Sequence, residues 1–236
     1  MSDADLHFYF DPVCPFAWMT SKWVRMVAAQ RDYSIDWRFI ALRMVNENVD
    51  YEARFPPEYL DLHISGQRLL RVATRVRAEH GRPAVGAYYT ALGTEMWDSE
   101  RRWANPGNPE LVEQVLAQAG LPVELSAALD DETADGVIRQ ETQDALALTG
   151  RDVGTPILHF QPPEGVAFFG PVISRLPTAV QALELWEHVI ALARFPGFSE
   201  LKRSLRELPQ LRALGVHEDQ VGVQEDWHGG SRRLKQ

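Results

Sequence analysis

The chain has 236 residues, of which 45% are hydrophobic and 24% charged, a composition typical of a globular protein with enough apolar material for a core. Its formal net charge of −9 argues against nucleic acid as the main partner, because binding phosphates needs a clustered basic surface. The N-terminus lacks the basic start and apolar run of a signal peptide, and no window reaches the roughly 18 apolar residues of a membrane span. A cytoplasmic protein is therefore expected.

The first predicted elements form a β-α-β unit. Residues 6–10 alternate in hydrophobicity and predict a strand, and residues 15–30 predict a helix that begins at a proline. Residues 35–42 predict a second strand. A strand, a long helix and a strand in this order imply a parallel pair with a right-handed crossover.

A long helical region follows. Residues 56–149 carry only helical signals, with apolar residues at helical spacing. Within this region, Asn108-Pro109-Glu110 is typical of a helix start, and the helix that begins there is expected to end at Gly120. Gly150 is a plausible residue to terminate the last helix.

Strand signals return near the C-terminal third of the chain. Residues 155–160 and 165–169 predict a hairpin, and an apolar stripe predicts a helix over residues 178–195. A short helix is expected over residues 199–207, and the last twenty residues are expected to form an arm or a frayed tail.

This order of elements predicts the α/β class, with a thioredoxin-like fold split by an all-helical inserted subdomain. We assign residues 1–55 and 151–195 to the thioredoxin-like domain and residues 56–150 to the helical insertion, which would act as a lid. Residues 196–236 would then form the C-terminal short helix and tail.

Cys14 is the only cysteine, so no intramolecular disulfide can form, which is typical of a reducing compartment. An isolated cysteine is usually an inert small hydrophobe. Cys14, however, follows the first strand and precedes Pro15 at a helix start, where free N–H groups and the helix dipole favour a thiolate. Cysteines at such sites have pKa values of roughly 3.5–7.5 against about 8.5 for free cysteine, so a reactive thiolate is expected.

Other motifs are less informative. Gly154-Thr155-Pro156 directly precedes a strand, and by itself predicts only a trans proline at an element boundary. The seven histidines lack metal-ligand spacing, and no GxGxxG or P-loop pattern occurs, so neither a metal nor a nucleotide is expected. Four aromatic residues could line a cofactor cleft, but core packing is the better explanation for them: Tyr88, Tyr89, Trp97 and Trp103.

Taken together, these features resemble the DsbA family of thioredoxin-like proteins, and within it the mycothiol-dependent nitroreductase type found in actinobacteria. The resemblance covers most of residues 6–205. The matching motifs are Phe10-Asp11-Pro12-Val13-Cys14-Pro15-Phe16-Ala17-Trp18, Asn46-Glu47-Asn48, Asp152-Val153-Gly154-Thr155-Pro156, Val166-Ala167-Phe168-Phe169-Gly170-Pro171-Val172 and Phe198-Ser199-Glu200-Leu201-Lys202-Arg203.

The resemblance implies which residues form the active site. Cys14 is expected to be the attacking thiol, and Thr155-Pro156 a cis bond that faces it, so these residues and Pro15 are the candidate catalytic residues. A cleft for thiol or substrate is expected beneath the lid. Its candidate lining residues are Phe16, Ala17, Trp18, Asn46, Asn48, Tyr59 and Gly154.

The chain departs from this family at Ala17, where the family usually has a second cysteine that resolves the mixed disulfide. An internal dithiol cycle is therefore impossible, and a monothiol mechanism remains. Cys14 would attack a disulfide or an activated sulfur, and an external low-molecular-weight thiol, mycothiol or glutathione, would attack the resulting mixed disulfide. The expected partners are thus a small-molecule thiol and a small or disulfide substrate, with neither nucleic acid nor membrane, and a homodimer stays open.

Two other functions fit the same sequence. Kappa-type glutathione transferases and 2-hydroxychromene-2-carboxylate isomerases share the split fold and a similar first-helix motif, with serine in the place of Cys14. Such an enzyme would bind a thiol cofactor and catalyse isomerisation or conjugation without disulfide exchange. The third alternative is a non-catalytic binding protein on the same fold, in which Cys14 is a relic.

Overall fold

A four-stranded sheet with the strand order β2-β1-β3-β4 forms the centre of the computed structural model. The structure describes residues 4–101, 103, 105–202, 205–216 and 224–226. β1 pairs in parallel with β2, as predicted, and antiparallel with β3, which pairs antiparallel with β4. The strands are β1 (Leu6–Phe10), β2 (Ile35–Phe39), β3 (Ile157–Phe160) and β4 (Ala167–Phe169).

Most of the helices lie between β2 and β3 in the chain. In chain order the helices are α1 (Pro15–Ala28), α2 (Leu42–Val45), α3 (Tyr51–Arg54), α4 (Glu58–His80), α5 (Arg82–Gly93), α6 (Pro109–Gln118), α7 (Asp135–Thr149) and α8 (Ala179–Arg194). A π-helical turn, Thr94–Asp98, continues α5, and 3₁₀ segments lie at Val123–Asp130, Glu132–Ala134 and Arg212–Leu214. The predicted α/β class with a thioredoxin-like fold is confirmed. None of the helices in the described ranges combines the length and apolar character needed to cross a membrane.

The strand β1 lies between β2 and β3, so both of its edges are paired. Helices cover both of its faces, so its side chains are buried on both sides. Phe8 and Phe10 belong to the large core that includes α1, α5 and α8, whereas Tyr9 belongs to a smaller cluster with Leu146 of α7. Alternating side chains of a strand point to opposite faces, so this one strand contributes to both sides of the core.

α1 and α8 pack together beside the sheet. The indole rings of Trp23 and Trp186 lie 5.4 Å apart, and the indole N–H of Trp23 donates to the carbonyl of Ala182 at 3.0 Å. α8 begins with a capping box in which Thr178 and Gln181 satisfy each other's backbone groups. The predicted helix over residues 178–195 is thereby confirmed within one residue at each end.

The helices between β2 and β3 share a core with the sheet. The ring of Tyr89 in α5 stacks on Phe10 of β1, with centroids 3.8 Å apart and an angle of 19° between the planes. Trp18 of α1 packs so closely on Gly93 that a Cβ there would overlap the indole. Tyr88 and Tyr89 are fully buried, so core packing is the correct explanation for these two aromatic residues.

The predicted second strand is too long. β2 ends at Phe39, and Leu42 begins α2, so helical structure starts well before residue 56. The backbone N–H of Ala41 donates to the hydroxyl of Thr142 at 3.0 Å, and that of Leu42 donates to the Asp11 carboxylate at 2.7 Å. Side chains of Thr142 and Asp11 therefore accept the backbone N–H groups that would have to bond to a neighbouring strand if β2 continued. The division into domain and lid stays a prediction.

The predicted short helix over residues 199–207 is wrong. Residues 205–207 form β5 (Leu205–Glu207), which pairs antiparallel with β6 (Gln224–Asp226). Leu201, within the predicted helix, is 78% exposed and so contributes no buried apolar contact that would stabilise one. Arg203, the last residue of the matched motifs, and most of the predicted tail (217–223 and 227–236) lie outside the described residues.

Candidate active site

The Cys14 thiol caps the N-terminus of α1. Cys14 has an extended backbone (φ −92°, ψ 109°), and its sulfur accepts the backbone N–H of Ala17 at 3.4 Å. Pro15 occupies the first turn, where its missing N–H removes no helical hydrogen bond. The sequence therefore folds locally into a strand, a short loop and a helix that together hold one sulfur atom at a helix start.

The Thr155-Pro156 segment lies against this sulfur. The Cys14 thiol donates to the carbonyl oxygen of Thr155 at 3.4 Å, although the two residues are 141 positions apart. The Thr155 hydroxyl donates to the carbonyl of Tyr9 at 3.2 Å, which ties the segment to β1. The Thr155-Pro156 bond is cis, and both residues are buried. Cys14, Pro15, Thr155 and Pro156 thus come together at one point of the fold.

Burial dominates the protonation of Cys14. The residue is 9% exposed, and the loss of water raises the pKa of its thiol to about 12. The N–H groups of Ala17 and Phe16 lower that pKa, and the Asp11 carboxylate raises it further. Burial therefore opposes the expected thiolate in this structure, and the thiolate stays a prediction. The helix start provides the predicted donors, but desolvation of the charged form outweighs them.

Asp11 is a second titratable group beside the thiol. Its side chain is fully buried and accepts the backbone N–H groups of Val13 at 3.0 Å and Leu42 at 2.7 Å. Burial raises the pKa of Asp11 to about 7, although these two hydrogen bonds lower it. Sequence reasoning missed this group. The available signal was its place in the sequence. Asp11 lies between an apolar strand and the helix that begins at Pro15, a connection that is expected to be buried.

The loop that carries Cys14 is held from the other side by the helices of the insertion. Gly66 of α4 lies directly on it, since a Cβ at this position would come within 2.5 Å of Asp11 Oδ1 and 2.8 Å of Val13 Cγ2. The indole N–H of Trp97 donates to the Pro12 carbonyl at 3.1 Å. These contacts explain why the sulfur is so well shielded from water.

The candidate cleft residues near Cys14 divide into two groups. Phe16 and Gly154 are half-buried, so a bound molecule could contact them with little rearrangement. Ala17 and Trp18 are 0% and 2% exposed, and the Trp18 indole N–H donates to Asp98 at 3.2 Å. Ala17 therefore acts on the sulfur through its backbone N–H, while Trp18 packs in the core.

The other candidate cleft residues follow β2 in the chain: Asn46 and Asn48 come after α2, and Tyr59 is in α4. Asn46 is half-buried, and its side-chain amide donates to the Leu42 carbonyl at 2.8 Å. Asn48 is exposed. Tyr59 is 36% exposed and stacks on Phe55, with ring centroids 5.5 Å apart. Their assignment to the cleft stays a prediction.

An aromatic cluster at α3 and the start of α4 was missed by sequence reasoning. Its rings recur every four residues across α3 and the start of α4, at Tyr51, Phe55, Tyr59 and His63. The Tyr51 hydroxyl lies 2.9 Å from Nδ1 of His63, and burial lowers the pKa of His63 to about 4. The four-residue spacing was the available signal.

No group of three or more His, Cys, Asp or Glu side chains suited to a metal ion occurs within the described part of the chain. The titratable groups described on the Cys14 loop are the Cys14 thiol and the Asp11 carboxyl.

Comparison with known proteins identifies the family. The family described as "Rv2466c-like: Mycothiol-dependent nitroreductase Rv2466c" matches residues 13–203. The chain belongs to this family. In addition, the protein Rv2286c of Mycobacterium tuberculosis, described as uncharacterized, is 32% identical over 197 residues, which are 83% of this chain and 80% of that protein. The resemblance inferred from the motifs is thereby confirmed, including the single cysteine.

Solved structures share the fold at low identity. The cytosolic disulfide reductase DsbM from Pseudomonas aeruginosa is 16% identical, with a TM-score of 0.51, over 80% of this chain and 99% of that one. A 2-hydroxychromene-2-carboxylate isomerase is 15% identical, with a TM-score of 0.51, over 80% of this chain and 96% of that one. At these identities the comparison supports only the fold of this Rv2466c-like chain. Its chemistry has to be argued from the residues of the site.

Proposed function

We propose that this Rv2466c-like protein is a thiol-dependent oxidoreductase that works by a monothiol mechanism at Cys14. Its co-substrate is a low-molecular-weight thiol such as mycothiol, in the cytoplasm. The observation that carries the proposal is that the one sulfur of the chain caps α1 and lies 3.4 Å from the Thr155 carbonyl. Membership of a family described as a mycothiol-dependent nitroreductase supports the choice of thiol.

The proposed chemistry is thiol–disulfide exchange in two steps. In the first, the Cys14 thiolate attacks one sulfur of a disulfide RS–SR′, so that a Cys14–S–S–R bond forms and R′S⁻ leaves. In the second, an external thiolate attacks the R sulfur, which regenerates the Cys14 thiolate and releases a new small disulfide. Each step breaks one S–S bond and forms another, so electrons balance without a second cysteine.

The thiol must first lose its proton, and the buried environment opposes this. Entry of solvent or substrate reverses the desolvation that holds the pKa of Cys14 at about 12, and the N–H of Ala17 then stabilises the anion. Burial raises the pKa of Asp11 to about 7, so its carboxyl can exchange a proton near neutral pH, and we propose this carboxyl as the acceptor for the thiol proton.

Adduct formation tests the proposal directly. The native protein is incubated with the disulfides of mycothiol, glutathione and cysteine, and intact mass is measured. We expect one RS group per chain, removed again by the reduced thiol, and the adduct mass identifies the preferred partner. No adduct is expected in C14S. In A17C the adduct should give way to an internal disulfide, because the position that lacked the resolving thiol would then have one.

The control is the urea-unfolded protein, in which the exposed thiol must react with each disulfide. If the unfolded chain forms adducts and the native chain forms none with any of the three disulfides, the monothiol mechanism is wrong.

A second candidate function is thiol-dependent isomerisation or conjugation. The observation that favours it is the neutral state of Cys14, whose S–H donates to Thr155 and whose sulfur accepts from Ala17, as a serine hydroxyl could. The same C14S variant discriminates the two candidates. Retained turnover of a 2-hydroxychromene-2-carboxylate substrate in the presence of a thiol would favour isomerisation, whereas loss of activity favours exchange at the sulfur.

A further inference from the structure

A groove separate from Cys14 runs along α1 on the side that faces α5. One cavity of about 630 Å³ is lined by residues of α1, β2, α5 and the end of α6, and an adjoining one of about 390 Å³ follows α1 toward its N-terminus. Both are lined by Arg25, Thr90 and Thr94. Cys14 lines neither of them.

Arg25 carries an uncompensated charge in the wall of this groove. Its guanidinium lies 4.1 Å from the ring of Trp37 and 5.2 Å from that of Tyr89. Nη2 makes one long hydrogen bond of 3.5 Å to the Gly86 carbonyl, and Nη1 is buried with no hydrogen-bond partner among the described residues. No described carboxylate lies within ion-pair distance of Arg25. Burial lowers its pKa to about 10, so it remains charged at neutral pH.

A second cation at the groove is already neutralised. Lys22, one turn before Arg25 on the same side of α1, pairs with Asp98 at 2.8 Å. The unpaired charge of the groove is therefore positive and lies at Arg25. A buried cation without an anion is unfavourable, and the planar guanidinium is suited to carboxylate oxygens.

The walls of the groove indicate what the anion carries. Ile35, Trp37, Ala87 and Ala91 are apolar, and the remaining polar groups are neutral: Thr90, Thr94 and Gln118. The Nε1 edge of the Trp37 indole lies against α5, since a Cβ at Gly86 would come within 2.7 Å of it, and the 6% of the residue that is exposed lies at the groove. A fully hydrated anion would leave these surfaces without contacts, whereas a flat apolar group would cover them.

We infer that this groove binds a small carboxylate attached to a flat apolar group. Arg25 holds the carboxylate, and Trp37, Ile35 and Ala91 contact the apolar part. The site goes beyond the proposed function, because it does not use Cys14 and would exist whether or not the protein exchanges disulfides.

Thermal unfolding of the full chain with benzoate tests this site. A ligand that binds the folded protein raises the unfolding midpoint in a saturable manner. We expect benzoate to do so, and the neutral isostere benzamide to have no effect. Inorganic phosphate is the third probe, and a response to phosphate alone would overturn the assignment of a carboxylate with an apolar group.

Two matched variants at Ala87, on the exposed rim of the groove, test whether charge at this place controls ligand binding. In A87E the new carboxylate can pair with Arg25, so we expect the apparent Kd for benzoate to rise by about tenfold or more. In A87Q, which has the same shape without the charge, the Kd should be unchanged. Both substitutions lie at an exposed helix position and leave Arg25 and its aromatic neighbours intact.

A second pair tests Arg25 itself. R25M should abolish the benzoate response, and R31M should retain it, because Arg31 is exposed and pairs with Glu187. The response should also persist in C14S. The inference is overturned if benzoate does not stabilise the wild-type protein, or if benzamide stabilises it equally. It is also overturned if A87E and A87Q respond equally, or if C14S loses the response. Arg25 would then have only a structural contact with the aromatic rings.

Discussion

Asp11 carries a proton over a pH range in which an ordinary aspartate is ionised. Its pKa rises from 3.8 to about 7 because burial disfavours the charged form. The folded state therefore binds more protons than the unfolded state between about pH 4 and pH 7. The contribution of Asp11 to stability is complete below pH 4 and is lost as the pH rises through 7, by at most about 4 kcal/mol.

We expect D11N to remove this loss. Between pH 4 and pH 7 the free energy of unfolding should fall less steeply, or rise more steeply, with pH in D11N than in the wild-type protein. His7 and His63, whose pKa values are lowered to about 4, act in the opposite sense, but their effects cancel in the difference between the two proteins. Urea unfolding at intervals of pH gives this difference, and parallel curves would contradict the assignment.

At the residue scale the sequence predicted positions better than protonation. The strand, the break and Pro15 were enough to place Cys14 at a helix start. Its pKa depends on how much water reaches the sulfur, and the Cys14 loop is covered by Gly66 and Trp97 from a distant segment. No local pattern around Cys14 contains that information, so the effect of burial on the expected thiolate could not be predicted.

At the scale of elements, the contact between α1 and α5 depends on a glycine. Gly93 has a helical backbone (φ −66°, ψ −36°) that alanine could also adopt, but a Cβ would overlap the ring of Trp18. We expect G93A to lower the free energy of unfolding by about 1–3 kcal/mol, because overpacking forces the indole or the helix to move.

Gly136 of α7 provides the matched control. It is also helical, but a Cβ there would meet no atom within 4 Å. G136A should therefore be neutral or stabilise the protein by up to about 1 kcal/mol, as alanine favours a helix over glycine. Urea unfolding of both variants gives the comparison, and an equal effect of the two substitutions would show that helix propensity rather than the contact with Trp18 decides it.

Which elements could be predicted depended on how local their signals are. α6 and α8 were found because Asn108 and Thr178 are helix caps beside periodic apolar residues. The end of β2 was missed because side chains of Asp11 and Thr142, far away in the chain, take its backbone donors. β5 was missed because it is defined by pairing with β6 rather than by its own composition.

At the scale of the whole molecule, the helices of the insertion and the sheet should unfold together. One core extends from β1 through Phe10 and Tyr89 into α5, so neither part can lose its structure without exposing the other. We expect far-UV circular dichroism, dominated by the helices, and tryptophan fluorescence, which includes Trp23 and Trp186 beside the sheet, to report the same urea midpoint. Two separate midpoints would show that the insertion folds as an independent unit.

The order of the main elements, from β1 to α8, was predictable because it rests on alternation between periods of two and 3.6 residues, which the sequence displays clearly. The groove at Arg25 was not, because it arises where α1, β2 and α5 meet and its distinguishing feature is a missing partner. A sequence displays the residues that are present, and only the assembled chain reveals which charge has been left without a counterion.

The sulfur of Cys14 is both the cap of α1 and the donor to the Thr155 carbonyl. Any covalent adduct replaces the thiol hydrogen, so the Thr155 carbonyl loses this donor while the pairing of β1 with β3 remains. The same adduct changes the acceptor that caps α1, and we expect the exchange of the Ala17 amide with deuterium to become faster when it forms.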